Sequence, residues 1–288
     1  MTRRITPLAI LAAGLLIAAG CAQPAPDNPA GIEPGRQIYQ VSATVLEAPG
    51  TGPQLCQSVA DSYPPQCSGP EVVGWDWADV TAESASGTTW GSYRLTGTWD
   101  GQRFTLTGTP EPDVGPDVGP DVGPAPDTEL VDLTTPCQTP AGGWRVLDPD
   151  TATMDALNEA VSRAAHEPGY AGSWVDQSTL AGGGNDPSRT VLNLRFTGDL
   201  AAAEQAIRQF WGGPLCVTGA ERTDAELLDI QQRLHVELPD LVLGSGVDPV
   251  ANAVTAQVVV VDPDLQRELD QRYGAGAVIL QGWLRPVS

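Results

Sequence analysis

The chain has 288 residues, with 36 acids against 15 basic residues that are all arginine, for a formal net charge of −21. Such a surface repels phosphate backbones and anionic head groups, which excludes nucleic acid as a partner. At 41% apolar residues, a chain of this length buries real cores, and two domains are the natural expectation.

The first stretch reads as an address. Arg3 and Arg4 precede an apolar run over residues 7–19, and Gly20 and Cys21 close it. A positive start, a short apolar stretch and small residues before a break is the anatomy of an export signal. The run is too short to span a bilayer, which takes about 20 apolar residues. Ile17-Ala18-Ala19-Gly20-Cys21 resembles the lipobox of bacterial lipoproteins, a family that prefers Leu or Val where Ala18 stands. The resemblance implies a diacylglyceryl group of palmitate type on the Cys21 thiol, a cut just before it, and a protein on the outer face of the cell membrane. A cut after Ala22 by the ordinary signal peptidase is the alternative. Two or three acyl chains on one residue anchor stably where one is marginal. Residues 1–20 carry two arginines and no acid, so the mature chain keeps a charge of about −23. Residues 21–35, rich in Pro, Ala, Gly and Asp without periodicity, form a semi-extended tether. The lack of lysine beside abundant Ala, Gly, Pro and Asp, together with the lipobox, resembles actinobacterial envelope proteins.

Cys56, Cys67, Cys137 and Cys216 remain once Cys21 is lipidated. An even number in an exported chain implies disulfides, with three pairings open. Cys56–Cys67 and Cys137–Cys216 are expected, because each then lies within one predicted domain. Loop closure would contribute about 3 kcal/mol for the short loop and about 4.5 kcal/mol for the long one. A zinc site would need paired cysteines at close spacing or more than two histidines, so neither metal nor cofactor is expected.

Residues 36–109 read as a small β domain. Residues 37–47 alternate with Val41, Ala43 and Val45 on one face. Residues 71–77, 90–99 and 102–109 add three strands, the last two joined through Asp100-Gly101, a strong hairpin signal. Between the first two strands, residues 61–70 form a loop clipped by Cys67. Short strands without helices point to a small antiparallel barrel, OB-like, with a sandwich as the alternative. Trp75 and Trp77 share a strand face with Asp76 opposite, a candidate platform for sugars or a peptide. Large rings filling a small core account for the same pattern. Nucleic acid is disfavoured, because no basic groove accompanies the rings.

Residues 110–127 contain three Pro-Asp-Val-Gly units, a charged spacer that cannot bury enough surface to fold. Asp113, Asp117 and Asp121 lack the pattern of a calcium loop.

Residues 128–288 read as a duplicated α-β-β-α-β domain, with halves at about 150–219 and 223–287. The first half takes a helix over 150–166, strands at 170–177 and 190–197, a helix over 199–211 and a strand at 215–218. The second opens on Thr223 with Glu226 three residues on, a capping-box spacing. Strands at 242–247 and 253–261, a helix opened by Asp262-Pro263, and a strand at 277–284 complete it. Shared order, loop lengths and glycine stops mark each half as one supersecondary unit. Trp144, Trp174, Trp211 and Trp283 are expected to fill this second core. The order, with Tyr170-Ala171-Gly172-Ser173-Trp174-Val175-Asp176 entering a strand, resembles the pro-region module of streptogrisin-like serine proteases over roughly residues 150–219. The whole chain also resembles uncharacterised actinobacterial lipoproteins with the Ser62-Tyr63-Pro64-Pro65-Gln66-Cys67 loop and Gly74-Trp75-Asp76-Trp77 strand.

No catalytic constellation stands out. Gly244-Ser245-Gly246 reads as a turn rather than a nucleophile elbow. His166 and His235 sit near predicted helix C-termini, where a surface histidine suits the dipole. Residues 181–185 lack the lysine and helix start of a phosphate loop. The chain therefore reads as an α+β lipoprotein that binds or scaffolds, with the membrane and an envelope protein or glycan as partners. The alternatives are an envelope carbohydrate hydrolase or lyase using dispersed carboxylates, and a protease-associated chaperone or inhibitor. The spacer and the self-contained apolar patterns imply that the two domains fold independently.

Overall fold

A computed structural model describes residues 37–113, 132–178 and 185–287. Cys21, the tether, most of the Pro-Asp-Val-Gly spacer and the loop at 181–184 lie outside the described residues. The architecture is α+β.

The first region holds β1 (Ile38–Glu47), β2 (Gln54–Cys56), β3 (Val72–Val73), β4 (Glu83–Ala85), β5 (Thr88–Trp99), β6 (Phe104–Leu106) and β7 (Glu111–Pro112). Its spine is the β1–β5 antiparallel pair, in register from Ile38↔Thr98 to Glu47↔Thr89. The period of two buries Tyr39, Val41, Ala43 and Val45 on one face of β1. Leu55, Tyr93, Leu95 and Phe104 complete that core. At Gly97 the sheet is too close for a side chain, because a Cβ would strike the Thr105 carbonyl and the Phe104 ring.

Several expectations change here. The strand expected over 71–77 stops after Val73: Gly74 turns the chain at φ +86°, and Asp76 caps a 3-10 turn over Trp77–Asp79 by accepting from the Ala78 N–H at 2.9 Å. The Asp100-Gly101 hairpin is present, its Asp100 carboxylate accepting from the Gln102 and Arg103 backbone N–H groups. Glu111–Pro112, assigned above to the spacer, instead pairs with Tyr93 and Arg94. The strand path β14 (Arg285–Pro286)-β1-β5-β6-β3 is open, and no closed barrel is found among the described residues. One bridge, Gln54↔Glu71, with the Leu55 N–H donating to the Pro70 carbonyl, bends β2 back toward β3.

The second region runs α1 (Met154–Ala164), β8 (Tyr170–Asp176), β9 (Val191–Phe196), α2 (Leu200–Ile207) and β10 (Leu215–Gly219). It continues with α3 (Asp224–Glu237), β11 (Gly244–Asp248), β12 (Ala253–Val258), α4 (Pro263–Tyr273), β13 (Val278–Gly282) and β14 (Arg285–Pro286). Gly244-Ser245-Gly246 is thus strand, not turn. Each half makes a three-stranded sheet whose first pair is antiparallel and whose second is parallel. Helices cover one face of each sheet. Leu157, Ala160 and Ala164 of α1 meet Leu192, Leu194 and Phe196, while Leu227, Ile230 and Leu234 of α3 meet Val254, Ala256 and Val278. The Thr223–Glu226 capping box is formed in both directions.

The two regions are not separate beads. After β13 the chain crosses to the first region, where β14 pairs with Tyr39 and Gln40 of β1. Leu284, 1% exposed, lies in the core of the first region, and Trp283, Val259 and Val260 pack against it. Trp283 therefore serves the first core rather than the second. Residues 36–109 do not close their core alone, because β1 is bare at Tyr39 and Gln40 without β14. The halves of the second region meet at Asn252, whose side chain accepts from the Glu221 and Arg222 N–H groups and donates to the Arg222 carbonyl. Arg195 adds a bond to the Val250 carbonyl at 2.6 Å.

Candidate functional site

The disulfides join the pairs that the predicted domains implied. Cys56 joins Cys67 and Cys137 joins Cys216, each with Cα atoms 5.9 Å apart. The second bond carries the geometry that matters most, because it pins an irregular run to the sheet of the first half.

Residues 132–147 lie across the face of β8–β10 that points away from the helices. Cys137 bonds to Cys216 on β10, the Thr135 N–H donates to Asp176 Oδ2 at 2.7 Å, and the Thr135 hydroxyl meets Asn193 Oδ1 at 2.6 Å. The Leu147 N–H closes the run on the Gly212 carbonyl. Beside this strap is a cleft of about 530 Å³, lined by Thr135, Thr139, Trp144, Asp176, Ser188 and Arg189. Burial works to raise the Asp176 carboxyl, but hydrogen bonds from Ser178 and the Thr135 N–H outweigh it and hold the group below the usual carboxylate range. Asp176 is therefore an ionised fastener with both oxygens engaged, unsuited to proton transfer. The rest of the lining, hydroxyls with an indole and a guanidinium, suits a polar neutral solute or a peptide better than bond-breaking chemistry.

Trp75 and Trp77 are brought together, though not as an open platform. Their rings meet edge-on at 5.1 Å, and Trp75 meets Tyr93 at 4.9 Å. The Trp77 indole N–H donates to Glu47 Oε2 at 2.6 Å, whereas that of Trp75 is buried without a partner. Both pack against the first core. His166 Nδ1 lies 2.7 Å from the Ser162 carbonyl at the end of α1. His235 Nε2 lies 2.8 Å from Ser245 Oγ, a serine–histidine contact in which no described carboxylate orients the ring. Among the described residues, no group of three His, Cys, Asp or Glu side chains could hold a metal ion.

The Asp176–Thr135–Asn193 cluster was not singled out from sequence. Its one signal is Asn193, a polar residue inside the apolar run Val191-Leu192-Asn193-Leu194. Comparison with known proteins gave no matching family model and no match among curated proteins.

Proposed function

We propose that this chain is a lipid-anchored envelope protein with a non-enzymatic binding or scaffolding role on the outer face of the cell membrane. The observation that carries this is the opening itself: Arg3 and Arg4, an apolar run ending at Ala19, then Gly20 and Cys21, followed by a Pro-rich tether. Two disulfides suit an oxidising compartment. The polar cleft beside the strap suits an envelope glycan or peptide. At the finer level, we read the bent first sheet as an OB-like half-barrel. We read the two α-β-β-α-β halves as copies of one unit, supported by their common order and pairing sense.

The test is replacement of Cys21. The Cys21→Ala variant, expressed with its own leader, should leave the membrane fraction and take up no labelled fatty acid. Retention of the variant in the membrane fraction would show a second anchor and defeat the reading.

A further inference from the structure

The two three-stranded sheets match position for position, yet their outward faces differ. With the pairing registers aligned, Asp176 and Trp174 on β8 correspond to Asp248 and Gly246 on β11. On the central strands Asn193 corresponds to Thr255, and on the parallel strands Cys216 corresponds to Ile279. In the first sheet this face is closed: Asn193 is 0% exposed and Cys216 is 1% exposed under the strap. In the second, Ile279 is 37% exposed, Gln281 is exposed, and Gly246 and Thr255 are half-buried.

Part of the second face is already in use. Val259 and Trp283, the next outward positions along β12 and β13, pack under the first region, and the Gln57 side chain reaches Gln257. The stretch between that contact and Asp248 is uncharged. Gly246 stands where Trp174 fills the first sheet, so the floor is low enough for a backbone to lie on it. Asp248 Oδ1 accepts from the Val250 and Ala251 N–H groups, and no described donor meets Oδ2. Oδ2 is the atom that, in Asp176, takes the Thr135 N–H of the strap. The first sheet thus shows what covers such a face: an irregular, uncharged run, Leu133-Thr134-Thr135-Pro136-Cys137-Gln138-Thr139-Pro140, bending at Thr134 and Cys137 and hydrogen-bonded to the strand-end aspartate.

We propose that the outward face of the β11–β13 sheet is a docking site for an irregular, uncharged, Thr- and Pro-rich polypeptide segment supplied by a partner protein. It would lie as residues 133–140 lie on the first sheet, with its backbone N–H on Asp248 Oδ2 and a small apolar side chain on Ile279. The proposal gives the binding role above a partner class and rests on that role, but its test is independent of Cys21.

The probe is a peptide of residues 132–143, whose single cysteine is Cys137. The full chain carrying Ile279→Cys, in detergent and a glutathione redox buffer, should capture this peptide as a mixed disulfide. Capture should be at least about tenfold faster than for a scrambled peptide of the same composition. A Val236→Cys variant, at a site 80% exposed and away from the face, should capture both peptides equally. Equal capture of the two peptides by the Ile279→Cys variant would overturn the proposal. Should the new cysteine disturb the native disulfides, the unmodified chain decides. The same peptide with Cys137→Ser should give saturable amide shifts at Thr255 and Gln281 that Ile279→Arg abolishes, and unchanged spectra at millimolar peptide would overturn the proposal.

Discussion

Asp176 turns a buried charge into a fastener. It is 3% exposed, and it stays ionised because Ser178 and the Thr135 N–H supply hydrogen bonds that burial alone would have made necessary. Its folded pKa lies below the unfolded value of about 3.9, so its contribution is full above that pH and is lost as pH falls through the folded value. Asp176→Asn should therefore lower stability by about 1–3 kcal/mol at neutral pH, measured by urea denaturation. The gap to the parent should narrow as the pH approaches about 3. A gap unchanged between the two conditions would mean that the carboxylate charge is irrelevant to the strap. This cluster was hidden from the sequence for a geometric reason: Thr135 and Asn193 are 58 residues apart, and only folding makes the asparagine's polarity useful. Trp283 was misassigned for a related reason: it and Leu284 follow a strand of the second half in sequence, yet both pack in the core of the first region.

The elements divide by how much of their signal is local. The four α-helices among the described residues were legible because caps and stops sit inside a few residues: Thr223 with Glu226, Asp262 before Pro263, and Gly274 at the end of α4. The paired long strands were legible from their period of two. Strands β2, β4 and β7 were not, because two or three residues carry no period and are set in place by the flanks of β1 and β5. The edges also depend on distant partners. On β13, Gln266 of α4 acts as a substitute strand, donating to the Val278 carbonyl at 2.9 Å and accepting from the Leu280 N–H at 3.0 Å. Gln266→Ala should cost about 1–2 kcal/mol and speed hydrogen exchange at the Leu280 amide by a corresponding factor. Unaltered exchange there would show that another group already satisfies the edge.

At the scale of the molecule, the chain's end completes its beginning. Gln37, the first described residue, donates from its side chain to the Ile38 and Val287 carbonyls, so it is held beside the end of the last strand. The spacer suggested beads joined by a string, and composition alone supports that picture. What it missed is that Trp283 and Leu284 follow the last strand of the second half yet are apolar, and the core they belong to had to be found elsewhere. Leu284→Ala should destabilise the first region by about 2–5 kcal/mol, measured as faster hydrogen exchange in β1 and β5. The sharpest measurement is hydrogen exchange across residues 37–113 in a chain truncated after Gly282. Loss of Trp283, Leu284 and β14 should strip protection from β1 and β5 while α1 and α3 keep theirs; full protection of β1 and β5 in the truncated chain would contradict a core shared between the two regions.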